Sequence, residues 1–287
     1  MADLPPATLP DDSGDHQPKK QKFSHINKAS NRQQQPADSD QQLENMSSSK
    51  REVYTLFTRY RDTLDAHYDQ RERVIKCSRD ITALSKKIVF SLLRITQESS
   101  PESVFKDAES KHKQVLDLFR KISVELQGSD AQKYNRQATP GLQEYIEAIG
   151  LWAFLQDNVL ISKEQVLERL SVAGPDGVVA PLVSVSDEDY ILGISDLPGE
   201  VNRYCINSIG KGDHEAVRRC LMFLRQMKEG ISLLMCSGTV RDLDKKVSVL
   251  DSSLEKTERA YYSMSVRESE MKLCGANSTV VPMAIDA

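Results

Sequence analysis

The chain has 287 residues, 39% hydrophobic and 28% charged, with a net charge of −4. That is enough to bury a sizeable core. Thirteen Gly and 11 Pro are too few for many short strands and turns, so long helices are expected. No apolar run approaches the roughly 18–20 residues a membrane span needs, and the N-terminus has no hydrophobic signal core. An intracellular protein is therefore expected. The five cysteines, Cys77, Cys205, Cys220, Cys236 and Cys274, form no C-x-x-C and read as reduced thiols.

Residues 1–46 are expected to form a disordered tail. Pro, Gln, Asp and Ser dominate it, and too little apolar surface is present to offset ordering entropy. Pro18-Lys-Lys-Gln-Lys22 within it is read either as a weak nuclear-import signal or as part of a solubilising tail.

From residue 47 the pattern is helical. Val53, Leu56, Phe57, Tyr60, Leu64, His67 and Tyr68 recur at three- and four-residue spacing, continued by Val74, Ile81, Leu84, Ile88, Leu92 and Ile95. This predicts a first helix longer than one domain, suggesting an oligomeric surface or a kink. Its basic residues, Lys86 and Lys87 among them, read mainly as a solvated face, with a minority able to line a nucleic-acid groove. His67 and His112 read as structural. Ser100-Pro101 ends that helix and opens a second, to about Leu126. A third begins between about Ala131 and Thr139 and ends near Asp157. A short helix follows over 163–170, then a loop or hairpin over 171–185 around Gly174-Pro-Asp-Gly177. Further helices are expected over 187–209, 214–234 and 239–265. The expected fold is an all-α bundle of six or seven helices. Its folded part spans 47–267, and 268–287 form a flexible C-terminal tail.

Two stretches resist this plain reading. Glu144 and Glu147 lie three apart on the third helix; Asp196 and Glu200 lie four apart on the helix over 187–209. Like charges so placed destabilise a helix by roughly 0.2–0.5 kcal/mol. The face carrying Glu144 and Glu147 continues with Leu151, Phe154 and Leu155, and no Lys or Arg occurs between Arg136 and Lys163. A half-buried carboxylate there needs a proton, a hydrogen bond or a cation. The alternative is an exposed first turn with acids at its N-terminus. Asp196 and Glu200 align with Arg203 and Asn207. This meridian is either a solvated face with a Glu200–Arg203 pair or, with Pro198-Gly199 kinking the helix between the acids, a cation pocket. The all-oxygen donor set suits one or two Mg²⁺, or Mn²⁺, and not zinc. Such a site would cut a phosphodiester, with Glu144 or Asp196 as general base and Arg203 on a phosphate oxygen.

Gly141-Leu-Gln-Glu-Tyr-Ile-Glu-Ala148, Asp189-Tyr-Ile-Leu-Gly193, Ser195-Asp-Leu-Pro-Gly-Glu200, Arg203-Tyr-Cys-Ile-Asn-Ser208, Phe223-Leu-Arg-Gln226 and Val266-Arg267 are ordered and spaced along residues 50–267. In these motifs the chain resembles the translin family, in particular its translin-associated factor X members. The resemblance implies an all-α fold that joins a translin-like subunit in a closed hetero-oligomer, in cytoplasm and nucleus. It implies a Mg²⁺-dependent endoribonuclease acting on single-stranded or nicked small RNA, including passenger-strand removal in RNA silencing. Single-stranded DNA is a further candidate ligand. The family's acidic residues fall on Glu144, Glu147, Asp196 and Glu200. Pro198, where relatives commonly have Thr, departs from the pattern. A non-catalytic nucleic-acid-binding or scaffold subunit is the alternative. Residues 140–200 carry 2 basic and 11 acidic residues, whereas 50–125 carry 16 basic and 12 acidic. RNA would thus be held mainly by basic surfaces outside the acidic region, including the partner's.

Overall fold

The computed structural model describes residues 47–276 apart from 99, 129, 175–176, 236–237 and 239; the side chains of 130–132 and 272–276 are also not described. The expected tail over 1–46 lies outside the described residues, as do 277–287. Contacts divide the chain into residues 1–62 and 63–287.

Of the first unit, 47–62 are described. Residues 48–62 form the opening part of helix α1, Ser48–Leu93. Val53, Leu56, Phe57 and Tyr60, expected to form one apolar stripe, are all exposed.

In the second unit α1 continues, and burial begins at Val74, with Ile81, Ile88 and Leu92 fully inside. Leu64 and Tyr68 remain exposed. A 3₁₀ turn, Arg94–Thr96, ends α1. Helix α2, Pro101–Glu125, opens with Pro101 in its first turn, where a missing N–H costs nothing. Helix α3, Asp130–Asp157, contains Pro140. The broken backbone ladder there is met by Ser78 of α1. Its hydroxyl accepts from Gly141 N–H at 3.1 Å and donates to the Ala138 carbonyl at 3.4 Å. A side chain at 141 would meet the Ser78 carbonyl oxygen at 2.7 Å, so only glycine lets the helices approach this closely.

Helix α4, Lys163–Arg169, starts with a capping box between Ser162 and Gln165. The hairpin expected over 171–185 forms as β1, Ser171–Ala173, paired antiparallel with β2, Val179–Pro181. Helix α5, Asp187–Ile194, is capped by Ser186 and carries three acids in its first turn. Then come α6, Leu197–Gly210, α7, His214–Met235, and α8, Leu243–Ala276.

The fold is all-α, as expected, with eight α-helices among the described residues. The single helix expected over 187–209 is two. The break falls at Ser195 and Asp196, ahead of the kink expected at Pro198-Gly199. Pro198 has no N–H for the Ile194 carbonyl, so the chain restarts and Pro198 occupies the first turn of α6.

Helix α3 supplies much of the core, with Tyr145, Ile146, Ile149 and Leu151 fully buried. It packs on α2, α5 and α6, while α6, α7 and α8 pack on one another. His112 is buried against Tyr145, Nε2 to hydroxyl at 2.9 Å, and His67 Nδ1 lies 2.6 Å from the Tyr134 hydroxyl. Both histidines are structural, as expected. Cys77, Cys205 and Cys220 are unbridged.

Candidate functional site

Helices α3 and α5–α6 approach closely because glycines face bulky side chains. A side chain at Gly193 would lie 2.8 Å from Ile146, and one at Gly150 would lie 3.3 Å from Leu197. Ile146 directly precedes Glu147, and Leu197 directly follows Asp196. The packing therefore brings the two acid pairs together. A buried network reinforces it. Asp189 accepts from Gln143 Nε2 at 3.1 Å and from the Ser186 hydroxyl at 2.7 Å.

The four acids share one electrostatic neighbourhood. The Glu147 carboxyl is pushed up to about 8, first by burial and then by the negative charges of Asp196, Glu200 and Glu144; Lys246 opposes the shift. Glu200 is also raised, chiefly by burial. Its Oε2 is buried without a hydrogen-bond partner. Arg203 Nη1 comes within 3.3 Å of that oxygen but not in hydrogen-bonding alignment. The arginine thus offsets charge while leaving the oxygen's lone pairs unused.

The other two acids are matched by cations from distant helices. Lys86 Nζ of α1 is 3.0 Å from Glu144 Oε1. Lys246 of α8 hydrogen-bonds Asp196 Oδ2. Glu144 has no basic neighbour on its own helix, and its partner lies 58 positions earlier. The sequence places Lys86 on a mainly solvated face, and nothing in it singles out Lys246. Only the tertiary fold shows either pairing. Asp196 sits at the N-cap of α6 without capping by its side chain, which leaves the carboxylate to Lys246. Arg203 is exposed on the same helix as Glu200.

Among the described residues, no three His, Cys, Asp or Glu side chains are grouped to hold a metal ion. Two of the four acids are instead turned to ammonium groups. The donor chemistry nevertheless suits a hard divalent cation: all the donors are carboxylates, one buried oxygen lacks a partner, and one carboxyl is raised by burial and then by like charge.

The translin family model matches residues 69–268, most of the chain. The chain belongs to the translin family. Translin-associated protein X of Rattus norvegicus is 37% identical over 239 residues, covering 78% of this chain and 82% of the relative. The homolog of that protein in Schizosaccharomyces pombe is 29% identical over 221 residues, with 75% and 90% covered. Translin of Homo sapiens is more distant, 22% identical over 218 residues, with 75% and 93% covered. Among solved structures, apo-NeC3PO superposes with a TM-score of 0.57 at 20% identity, covering 72% of this chain and 96% of that one. The duplex RNA complex of AfC3PO superposes with a TM-score of 0.53 at 21% identity, covering 74% and 97%. At these identities the likeness establishes the translin fold. No described helix is long and apolar enough to cross a membrane.

Proposed function

We propose that this translin-family chain is the catalytic subunit of an RNA-cleaving hetero-oligomer, pairing with a translin-like subunit and acting with Mg²⁺ or Mn²⁺. The observation that carries the reading is that Glu147 is buried and feels the charges of Asp196, Glu200 and Glu144, while the Glu200 Oε2 is buried without a hydrogen bond. The relatives named translin-associated protein X support the partner, and the duplex RNA bound by AfC3PO supports the polymer class. Single-stranded or nicked small RNA is the proposed substrate, in cytoplasm and nucleus.

Glu144, Glu147, Asp196 and Glu200 would hold the ion. A bound divalent cation would supply a water of lowered pKa and offset charge at the scissile phosphate. Lys86 and Lys246 orient Glu144 and Asp196. Glu144 or Asp196 takes the proton of the attacking water. Arg203, exposed beside Glu200, donates to a phosphate oxygen.

One observation favours a second reading, in which the subunit binds RNA without cutting it. Lys86 and Lys246 already match two of the four acids, as in a structural charge network. Cleavage separates the readings. The full chain, assembled with a translin subunit in Mg²⁺, should cut single-stranded RNA, and Glu147→Ala and Glu200→Ala should each abolish cutting. Equal cleavage by all three proteins would overturn the metal-site assignment.

A further inference from the structure

The last turns of α1 carry a large apolar side chain in a position the core does not explain. Phe90 is 69% exposed, while its neighbours Val89, Leu92 and Leu93 are buried. Lys86 and Lys87 stand four and three residues before it, and Arg94 four after. On a helix these positions surround one side chain. No Asp or Glu occurs between Asp80 and Glu98. Arg94 is matched by Glu98 and, at 3.9 Å, Asp107, and Lys86 by Glu144. Lys87 is exposed.

This face adjoins the carboxylates. Lys86 reaches Glu144 and also feels the charges of Glu147 and Glu200. Beyond Phe90, the 3₁₀ turn Arg94–Thr96 packs on α6, the helix of Glu200. The exposed ring thus lies between two points at which α1 meets the acid-bearing elements. An exposed aromatic flanked by basic side chains matches the chemistry of a nucleobase on a phosphate backbone: the ring takes the base face, and the exposed Lys87 takes a phosphate.

We infer that Phe90 is a stacking platform for a base of single-stranded RNA, placing the neighbouring phosphate at the carboxylates. The inference rests on the proposed site. Phe90 is a positioning residue in this scheme, and its contribution is read in binding.

The test uses the full chain assembled with a translin subunit, Mg²⁺ and a labelled 2′-O-methyl oligouridylate. Phe90→Ala should weaken binding about tenfold without changing the salt dependence, because a base contact and no phosphate contact is lost. Phe90→Trp should keep wild-type affinity and show fluorescence quenching when the oligonucleotide is added. The chain's single natural tryptophan, Trp152, is buried and serves as background. Wild-type affinity in Phe90→Ala would overturn the inference, and so would loss of assembly with the translin subunit on gel filtration, which would make Phe90 a protein contact. If Phe90→Ala binds normally while Glu147→Ala abolishes cleavage of unmodified RNA, the platform fails and the nuclease reading stands. If Phe90→Ala weakens binding while cleavage ignores Glu147, the platform stands and the nuclease reading fails.

Discussion

Lys246 of α8 reaches across to Asp196, the residue that opens α6, and binds its carboxylate. The pair is only partly shielded, with the lysine side chain 20% exposed and the aspartate 44%. Lys246→Met should therefore cost no more than about 1 kcal/mol in urea unfolding. Its larger effect should be electrostatic. With the opposing ammonium gone, Mg²⁺ should raise the melting temperature of the variant more than that of the wild type.

Glu147 sets a pH dependence of known sign. Its carboxyl ionises near its ordinary value of about 4.5 in the unfolded chain and only near about 8 in the fold. Below the first value both states are protonated and the group costs nothing. As pH rises through this window the unfolded chain releases its proton first, so stability falls, and it levels off above the second value. At about 1.4 kcal/mol per pKa unit the loss is on the order of a few kcal/mol. Glu147→Gln should remove this slope. Urea midpoints at about pH 5 and about pH 8.5 should then differ less in the variant than in the wild type.

Glu200 offers a test of cation binding that needs no RNA. If its buried Oε2 is a donor to a divalent ion, Mg²⁺ stabilises the folded chain by mass action. The melting temperature of the wild type should climb with Mg²⁺ concentration, and that of Glu200→Gln should climb less. Equal shifts would remove Glu200 from the site.

The α1–α3 crossing should be sensitive to single atoms. Ser78→Ala would strip the Gly141 N–H of its acceptor at the Pro140 break, at a cost of about 1–3 kcal/mol for a buried polar group left without a partner. Gly141→Ala would press a methyl against the Ser78 backbone and should cost a similar amount, about 1–3 kcal/mol, through overpacking. Denaturant midpoints measure both.

Helical periodicity revealed the all-α class and the phase of α3, since the alternation of Tyr145, Ile146 and Ile149 with Glu144 and Glu147 is local. The i,i+3 Glu200–Arg203 pair was legible for the same reason. Contacts over long separations were not. Ser78 with Gly141, Lys86 with Glu144 and Lys246 with Asp196 join residues 50 or more positions apart, and no pattern within one helix encodes them. The kink expected within one helix over 187–209 is a full break instead, because proline removes a bond to the residue four before it. The interruption therefore appears upstream of the proline, at Ser195 and Asp196. The apolar stripe around Phe57 and Tyr60 had the right period but is exposed, because periodicity identifies an apolar face and says nothing of what covers it.

Gly193 and Gly150 would act as a gauge for the proposed cation site. The separation of the two acid pairs is set by side chains that are absent, where Ile146 and Leu197 come to rest against bare backbone. At such a site ionic radius would be selected without altering any charged group. Mg²⁺ demands oxygens at about 2.0–2.1 Å, whereas Ca²⁺ accepts about 2.3–2.6 Å. A single methyl at 193 would work as a shim, widening the gap and moving the preference toward the larger ion.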